Sequence, residues 1–352
     1  MMSRKLFSRY SLGGLSLPNR VVMAPMNRNR ASDSQLAPSS MTATYYAQRA
    51  SAGLIIAEGT PVSPQARGCA RTPGIYSEDQ ITGWTNVTRA VHRQGGRIYL
   101  QLWHVGRVGH CSLRADASPP VGPSAHGLQS DRVPVLDGAG EPVLSACDPP
   151  RALRTDEVKA IVGDFVTAAR NAQAAGFDGV EIHAANGYLL DQFLKSGSNH
   201  RMDTYGGTVR NRCRLPLEVV QAVTDAIGGA RTGIRLSPVT PANDAYEARP
   251  QPLFEHLVHH LAALDLAYVH IIEGATGGPR TMADQPFDYR ALRKAYRQAG
   301  GQGAWMVNNG MDNALAREAL AGGADLVAFG RAYIANPDLV ARLRKGGPYA
   351  TG

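Results

Sequence analysis

The chain has 352 residues, 43% of them hydrophobic and 19% charged, and a formal net charge of +8. A chain of this size can bury a large core and lies within reach of a single α/β barrel domain. No apolar run approaches the roughly 20 residues of a membrane span, the basic residues are scattered, and the four cysteines form no CxxC pair. We therefore expect a cytoplasmic protein that binds neither membrane nor nucleic acid and holds no metal.

Eight short runs rich in Val, Ile and Leu recur along the chain and alternate with helical patterns. We predict strands at 20–24, 54–58, 97–103, 179–183, 232–236, 268–272, 304–308 and 326–329. We predict helices at 39–51, 79–94, 155–175, 209–227, 251–264, 289–299, 313–321 and 335–344. This alternation allows a closed barrel or an open doubly wound sheet, and the uniform composition favours a (β/α)8 TIM barrel in a single domain over residues 1–352.

Two segments fall outside the repeat. Residues 1–19 precede the first strand, and we expect them to form a lid over the amino-terminal end of the barrel. Residues 106–150, rich in Pro, Gly, Ser and Asp, form a long excursion after the third strand. Long ordered loops on a barrel tend to carry function, and barrel active sites lie at the carboxyl ends of the strands.

The most informative group of polar residues follows the fourth strand. His183 and Asn186 lie three positions apart, so a helical turn beginning there would let both side chains donate to one oxygen atom. Tyr188 follows, and its phenol can deliver a proton. Such a group would stabilise an oxygen that becomes negative as hydride adds to a neighbouring double bond. Alternatively, His183 satisfies a core hydrogen bond, Asn186 is a turn residue and Tyr188 is a half-buried aromatic.

Other strand residues indicate an anionic ligand rich in heteroatoms. Arg235 lies inside an apolar strand, where an unpaired charge is costly, so we expect an anionic or electron-rich partner. Gln101 similarly predicts an amide that faces the edge of a heteroatom-rich ring. Strands seven and eight are followed by residues suited to phosphate binding, although ordinary glycine turns with a surface arginine would have the same sequence. These residues are Asn309, Gly310, Gly330 and Arg331.

Six ordered motifs over almost the whole chain resemble the Old Yellow Enzyme family of flavin ene-reductases. They are Leu17-Pro-Asn-Arg20 leading into Val22-Met-Ala-Pro-Met26, Gln101-Leu-Trp-His-Val-Gly-Arg107, His183-Ala-Ala-Asn-Gly-Tyr188, Asp203-Thr-Tyr-Gly-Gly-Thr-Val-Arg-Asn-Arg212, Arg235-Leu-Ser-Pro238 and Phe329-Gly-Arg-Ala-Tyr-Ile-Ala-Asn-Pro-Asp338. The His183/Asn186 pair resembles the His/Asn branch of the family, and we predict a place among its bacterial members.

The resemblance implies FMN at the carboxyl-terminal mouth of the barrel, with NADPH or NADH as hydride donor. The oxidant would be an activated alkene: an enone, an enal, a maleimide or a nitroalkene. His183 and Asn186 would anchor the substrate oxygen and Tyr188 would donate the proton, while Trp103 would wall the substrate pocket. FMN would contact Pro25, Met26, Ala57, Gln101 and Arg235, with Asn309, Gly310, Gly330 and Arg331 at its phosphate. We expect a monomer or a homodimer.

Two residues depart from the family pattern inside this site. Asn27 replaces a usual threonine, and its amide would reach the flavin differently from a hydroxyl. Cys69 takes the place where bacterial relatives often carry a tyrosine over the substrate, so a smaller and softer group would line the pocket.

Other functions remain open from the residues alone. A flavin-free aldolase or isomerase could use the phosphate site, although such an enzyme would want a strand-end lysine or a carboxylate pair. A flavoprotein that binds a ligand without converting it is a second alternative, and Tyr188 argues against it. Some members of the family isomerise or oxidise their substrates.

Overall fold

The computed structural model describes residues 3–129 and 131–350. The strands are β1 Tyr10–Leu12, β2 Leu15–Leu17, β3 Val21–Met23, β4 Leu54–Pro61, β5 Ile98–Trp103, β6 Val121–Gly122, β7 Arg132–Leu136, β8 Pro142–Ala146, β9 Arg151–Ala152, β10 Gly179–Ala184, β11 Thr232–Leu236, β12 Tyr268–Ile272, β13 Ala304–Asn308 and β14 Leu326–Phe329. The α-helices are α1 Ser3–Leu6, α2 Ser40–Ala47, α3 Glu78–Arg93, α4 Thr155–Ala174, α5 Leu189–Leu194, α6 Val209–Arg212, α7 Arg214–Ile227, α8 Pro250–Leu261, α9 Tyr289–Gln298, α10 Asn313–Ala321, α11 Arg331–Ala335 and α12 Leu339–Lys345.

Eight parallel strands close into a barrel in the order β10-β11-β12-β13-β14-β3-β4-β5. Their residues are buried along their whole length, because helices cover the outside of the barrel and side chains fill its interior. The predicted (β/α)8 barrel is confirmed, and the last four strands, β11 to β14, have the predicted bounds.

The helices present one apolar face to the barrel. In α4, for example, Val158, Ile161 and Phe165 recur at helical spacing and are buried in the main core. Two predicted helices are interrupted. Pro216 has no N–H for the carbonyl of Arg212, so the segment 209–227 forms α6 and α7. In the predicted helix at 335–344, Pro337 separates the last residue of α11, Ala335, from α12, which begins at Leu339.

The amino-terminal segment covers the bottom of the barrel, as predicted. Strands β1 and β2 form an antiparallel hairpin. Leu12 and Leu17 are buried in one cluster with Tyr99, Tyr268 and Ala304, which lie at the amino-terminal ends of their strands. The hairpin therefore closes the barrel at the end opposite to the strand carboxyl termini.

The long excursion after β5 folds over the other end of the barrel. It contains the antiparallel hairpin of β7 and β8, and the N–H of Ala70 donates to the carbonyl of Pro134 in this hairpin at 2.8 Å. Val133 and Val135 are buried in an apolar cluster with Trp103. The excursion is thus attached to the mouth of the barrel by apolar packing.

No helix within residues 3–129 and 131–350 combines the length and apolar character needed to cross a bilayer.

A buried carboxyl group marks an irregularity in β4. The register between β4 and β5 shifts between Ala57 and Gly59, at Glu58. The Glu58 side chain accepts hydrogen bonds from the N–H of Arg28 at 3.0 Å and the hydroxyl of Tyr46 at 3.3 Å. Burial raises the pKa of Glu58 from 4.5 to about 7, although these hydrogen bonds oppose the shift. The folded protein therefore holds this proton more tightly than the unfolded chain does.

We expect Glu58 to make folding stability depend on pH. Because its folded pKa is raised, the contribution of the bound proton is fully present below pH 4.5 and is lost as the pH rises through about 7. Urea unfolding between pH 5 and 8 should show wild type losing up to about 3 kcal/mol that Glu58→Gln does not lose. Glu78→Gln, at an exposed position of α3, is the control and should follow wild type. Parallel pH profiles for wild type and Glu58→Gln would contradict this role.

Candidate active site

A cavity of about 510 Å³ opens at the carboxyl ends of the barrel strands. Its volume lies in the range of cofactor and ligand sites. The loops that follow β3, β10, β12, β13 and β14 line it. Of the predicted site residues, the cavity brings together Pro25, Met26, Asn186, Arg235, Asn309, Gly310, Gly330 and Arg331.

Arg235 supplies a buried positive charge to this cavity. It is only 6% exposed, and its Nη2 donates to Oδ1 of Asn308 at 2.8 Å. Asn308 is itself held by a bond from its Nδ2 to the carbonyl of Ala328 at 2.7 Å. The Nε of Arg235 is buried and has no acceptor among the described residues. An electron-rich ring edge that accepts from Arg235 would fit this donor.

A second buried polar group involves Gln101. The Nε2 of Gln101 donates to Oε1 of Glu181 at 2.8 Å, and Nδ1 of His270 lies 2.7 Å from Oε2 of Glu181. Burial acts to raise the pKa of Glu181, but His270, Arg235 and the hydrogen bonds hold it below its usual value. Glu181 is therefore a carboxylate inside the barrel.

Three aromatic side chains form one wall of the mouth. The rings of Trp103 and Tyr188 meet edge to face with centroids 4.8 Å apart, and the rings of His183 and Tyr188 lie 5.1 Å apart. His183 is 4% exposed, and its Nδ1 has no partner among the described residues. Burial, together with Arg235, holds the pKa of His183 well below its usual value. Its imidazole is therefore neutral at physiological pH.

The turn after β10 differs from the predicted one. The chain does not begin a helix there, because Asn186 and Gly187 both have positive φ angles, +58° and +70°, and α5 starts only at Leu189. Asn and Gly tolerate this left-handed conformation better than other residues. The N–H of Asn186 donates to Oγ of Ser237 at 2.7 Å, and its Oδ1 accepts from Oγ1 of Thr276 at 2.6 Å. The side-chain nitrogen of Asn186, Nδ2, is the donor that these two bonds leave for a ligand.

The side chain of Asn309 is bonded to the loop that follows β12. Its Nδ2 donates to the carbonyls of Glu273 at 2.7 Å and Ala275 at 2.8 Å, and its Oδ1 accepts from the N–H of Gly277 at 3.1 Å. The side chain therefore fixes the loop that carries Thr276. A phosphate contact by Asn309 would have to come from its backbone, beside Gly310 and Arg331 at the same end of the cavity.

The remaining predicted residues lie in three different surroundings. Asn27 accepts from the N–H of Gly59 at 3.1 Å through its Oδ1, which leaves its amide nitrogen as a donor. The side chain of Ala57 is buried in the core between barrel and helices, so a flavin contact by Ala57 would involve its backbone. Cys69 packs against the apolar cluster that contains Trp103 and Tyr188, and burial raises the pKa of its thiol to about 12.

Sequence reasoning missed several residues of this site. Glu181 is a charged residue inside an apolar strand, so the argument that singled out Arg235 applies to it equally. Asn308 precedes the predicted Asn309 and holds Arg235 in place. Thr276 carries no sequence signal, since its contact with Asn186 depends on a loop that is distant in the chain.

One group of possible metal ligands occurs in the described part of the chain. Ligand atoms of His110, Cys111 and Asp148 lie within 4.8 Å of one another. Nδ1 of His110 lies 2.8 Å from the hydroxyl oxygen of Ser112, and Nε2 lies 3.8 Å from Oδ1 of Asp148. The absence of a metal site stays a prediction.

Comparison with known proteins decides the family. The model of the NADH:flavin oxidoreductase / NADH oxidase family matches residues 5–349. The chain belongs to this family. It is 40% identical over 349 residues to 12-oxophytodienoate reductase 1 of Oryza sativa subsp. japonica, a match that covers 97% of this chain and 87% of that protein. It is 43% identical over 353 residues to chanoclavine-I aldehyde reductase fgaOx3 of Penicillium roqueforti (strain FM164), with 98% and 90% covered.

Solved structures agree with this assignment. Morphinone reductase in complex with tetrahydroNAD matches with a TM-score of 0.91 at 45% identity, covering 98% of this chain and 92% of that one. The old yellow enzyme homologue from Zymomonas mobilis matches with a TM-score of 0.91 at 39% identity, covering 98% and 94%. The chain is thus an NAD(P)H-dependent FMN oxidoreductase of the Old Yellow Enzyme type, and the flavin-free alternative is removed. Its place among bacterial members stays a prediction.

Proposed function

We propose that this chain reduces the activated C=C bond of α,β-unsaturated carbonyl or nitro compounds. Bound FMN would supply the chemistry of hydride transfer from NADPH or NADH to the alkene. The observation that carries the proposal is the neutral, buried imidazole of His183, which lies beside the phenol of Tyr188 and whose Nδ1 has no partner among the residues that the structure describes. The similar proteins from rice and Penicillium are named as reductases of an oxo compound and an aldehyde, which supports the same class of substrate.

The chemistry assigned to the residues follows from their protonation and position. His183 and the amide nitrogen of Asn186 would donate hydrogen bonds to the substrate oxygen, which gains negative charge as hydride adds to the β-carbon. Burial raises the pKa of Tyr188, so its phenol stays protonated at neutral pH and can protonate the α-carbon. Trp103 and Cys69 would form the apolar side of the substrate pocket.

The cofactor roles follow from the same geometry. Arg235 and Gln101 would face the polar edge of the isoalloxazine ring, and the amide nitrogen of Asn27 would be a further donor to it. Pro25, Met26 and the backbone of Ala57 would contact the ring system. The phosphate would lie at the end of the cavity formed by the backbone of Asn309, Gly310, Gly330 and Arg331.

We further propose that residues 1–352 act as one FMN-binding domain in the cytoplasm. The four cysteines, Cys69, Cys111, Cys147 and Cys213, are all unbridged, which suits a reducing compartment. Small molecules are the proposed partners, and a monomer or homodimer stays a prediction.

Tyr188→Phe separates the two half-reactions. Reduction of the flavin by NADPH should stay close to wild type, because the phenol takes no part in it. Reoxidation by cyclohexenone should slow by about 10²-fold or more, since a positioned general acid contributes that much. Anaerobic stopped-flow absorbance of the flavin measures both rates. Tyr10→Phe, in the hairpin at the opposite end of the barrel, is the control and should leave both rates unchanged; equal loss in both half-reactions of Tyr188→Phe would reject the proton-donor role.

Changing His183 and Asn186 together should weaken the binding of a phenol whose oxygen takes the place of the substrate oxygen. The double variant His183→Ala, Asn186→Ala removes both proposed donors to a ligand oxygen, so the Kd for para-hydroxybenzaldehyde should rise by about tenfold or more. Titration of the flavin absorbance in the FMN-loaded protein gives this constant. Thr276→Val removes the bond that fixes the Asn186 side chain, together with the contact to the Thr240 hydroxyl at 3.2 Å, but leaves both proposed donors in place, so it should give a smaller increase. Unchanged affinity in the double variant would count against the paired donors.

A further inference from the structure

The inside of the barrel holds an acidic group that the proposed reaction does not use. Glu181 and His270 are fully buried, and Gln101 is 2% exposed. Strand register explains why they meet: Glu181 pairs with Gln101 across β10 and β5, and His270 pairs with Arg235 across β12 and β11. All four side chains therefore belong to one polar group inside the barrel.

The unfavourable free energy of burying the Glu181 carboxylate indicates that this residue has a functional role. A buried carboxylate is strongly disfavoured unless donors and positive charge surround it. Here Gln101 donates to one oxygen, and His270 lies 2.7 Å from the other. Arg235 adds a favourable charge interaction with Glu181. An apolar residue at position 181 would fill the barrel without the free energy needed to desolvate a charge, so packing alone does not account for the carboxylate.

Glu181 determines which end of the Gln101 amide is available. A carboxylate only accepts hydrogen bonds, so the group that faces it must be the NH₂ of Gln101. The carbonyl of Gln101 is then the group left for a donor on a bound ring. Without the carboxylate, the amide could rotate and offer either end.

Glu181 also opposes the charge of Arg235. Reduction adds negative charge to the N1 and C2 oxygen region of a flavin, and nearby protein charges tune the potential of such a cofactor. A positive group favours the reduced form, while a negative group disfavours it. Arg235 and Glu181 lie in neighbouring strands and act in opposite directions.

We propose that Glu181 is a positioning residue that orients the Gln101 amide and offsets the charge of Arg235, and so lowers the reduction potential of the bound flavin. This inference rests on the proposed function, since it assumes FMN beside Arg235. It adds to that function a group that touches neither substrate nor cofactor.

Glu181→Gln tests the charge directly. The midpoint potential of the FMN-loaded variant should rise by about 30 mV or more, because the equilibrium constant for two-electron reduction should increase by about tenfold or more. Glu181→Asp keeps the charge and should restore most of the wild-type potential. Tyr99→Phe is the matched control: it removes a partly buried hydrogen bond, to the carbonyl of Ala230, at the other end of the barrel, and should leave the potential unchanged.

Gln101→Met tests the orientation of the Gln101 side-chain amide. It also provides a test of the inference if Glu181→Gln does not fold. It keeps the carboxylate and Arg235, so oxidised FMN should bind about tenfold more weakly, with a smaller change in potential than Glu181→Gln gives. FMN fluorescence titration and the flavin redox titration measure the two effects. Unchanged FMN affinity in Gln101→Met would overturn the orienting role.

The outcomes separate this inference from the proposed function. An unchanged or lowered potential in Glu181→Gln, or equal shifts in Glu181→Gln and Glu181→Asp, would overturn the inference even if the wild-type flavin is reoxidised by an enone. A raised potential in Glu181→Gln alone, in a protein whose flavin no enone reoxidises, would support the inference and contradict the proposed function. A wild-type protein that binds no FMN would overturn both.

Discussion

A positive charge fixed inside an apolar barrel is the constraint on which the rest of the site depends. The guanidinium of Arg235 is 6% exposed, and it projects from a strand whose residues are all buried. A buried charge is tolerated when hydrogen bonds and opposite charge surround it. Asn308 accepts from one nitrogen of Arg235, and Glu181 supplies negative charge from the neighbouring strand. The buried Nε of Arg235 has no acceptor among the described residues, so a ligand that accepts from it would have to be electron-rich.

Closure of the barrel brings residues that are distant in the sequence together in one site. Alternate residues of each strand point inward, and all eight strands are parallel, so their carboxyl ends share one rim. The inward residues Trp103 and His183 reach this rim beside Tyr188. The loop after β12, held by Asn309, then brings Thr276 to Asn186. The excursion closes the apolar side of the mouth with Val133 and Val135.

The sequence predicts the barrel well because its signals are local. Strands β11 to β14 and helix α10 have the predicted bounds, since apolar runs and helical periodicity are properties of short segments. The break at Pro337 and the left-handed turn at Asn186 carry local signals too, a proline and an Asn-Gly pair. The task of the Asn309 side chain could not be predicted, because it depends on a loop more than thirty residues earlier in the chain. Glu181 could have been found, since a charge in a buried strand requires a partner whatever its sign.

The absorption spectrum of the purified protein under anaerobic conditions tests the central claim most directly. The account predicts a yellow protein whose visible flavin bands bleach when NADPH or NADH is added and return when cyclohexenone is titrated in. A protein that binds no FMN on reconstitution, or a bleached protein whose bands return with oxygen but with no activated alkene, would contradict it.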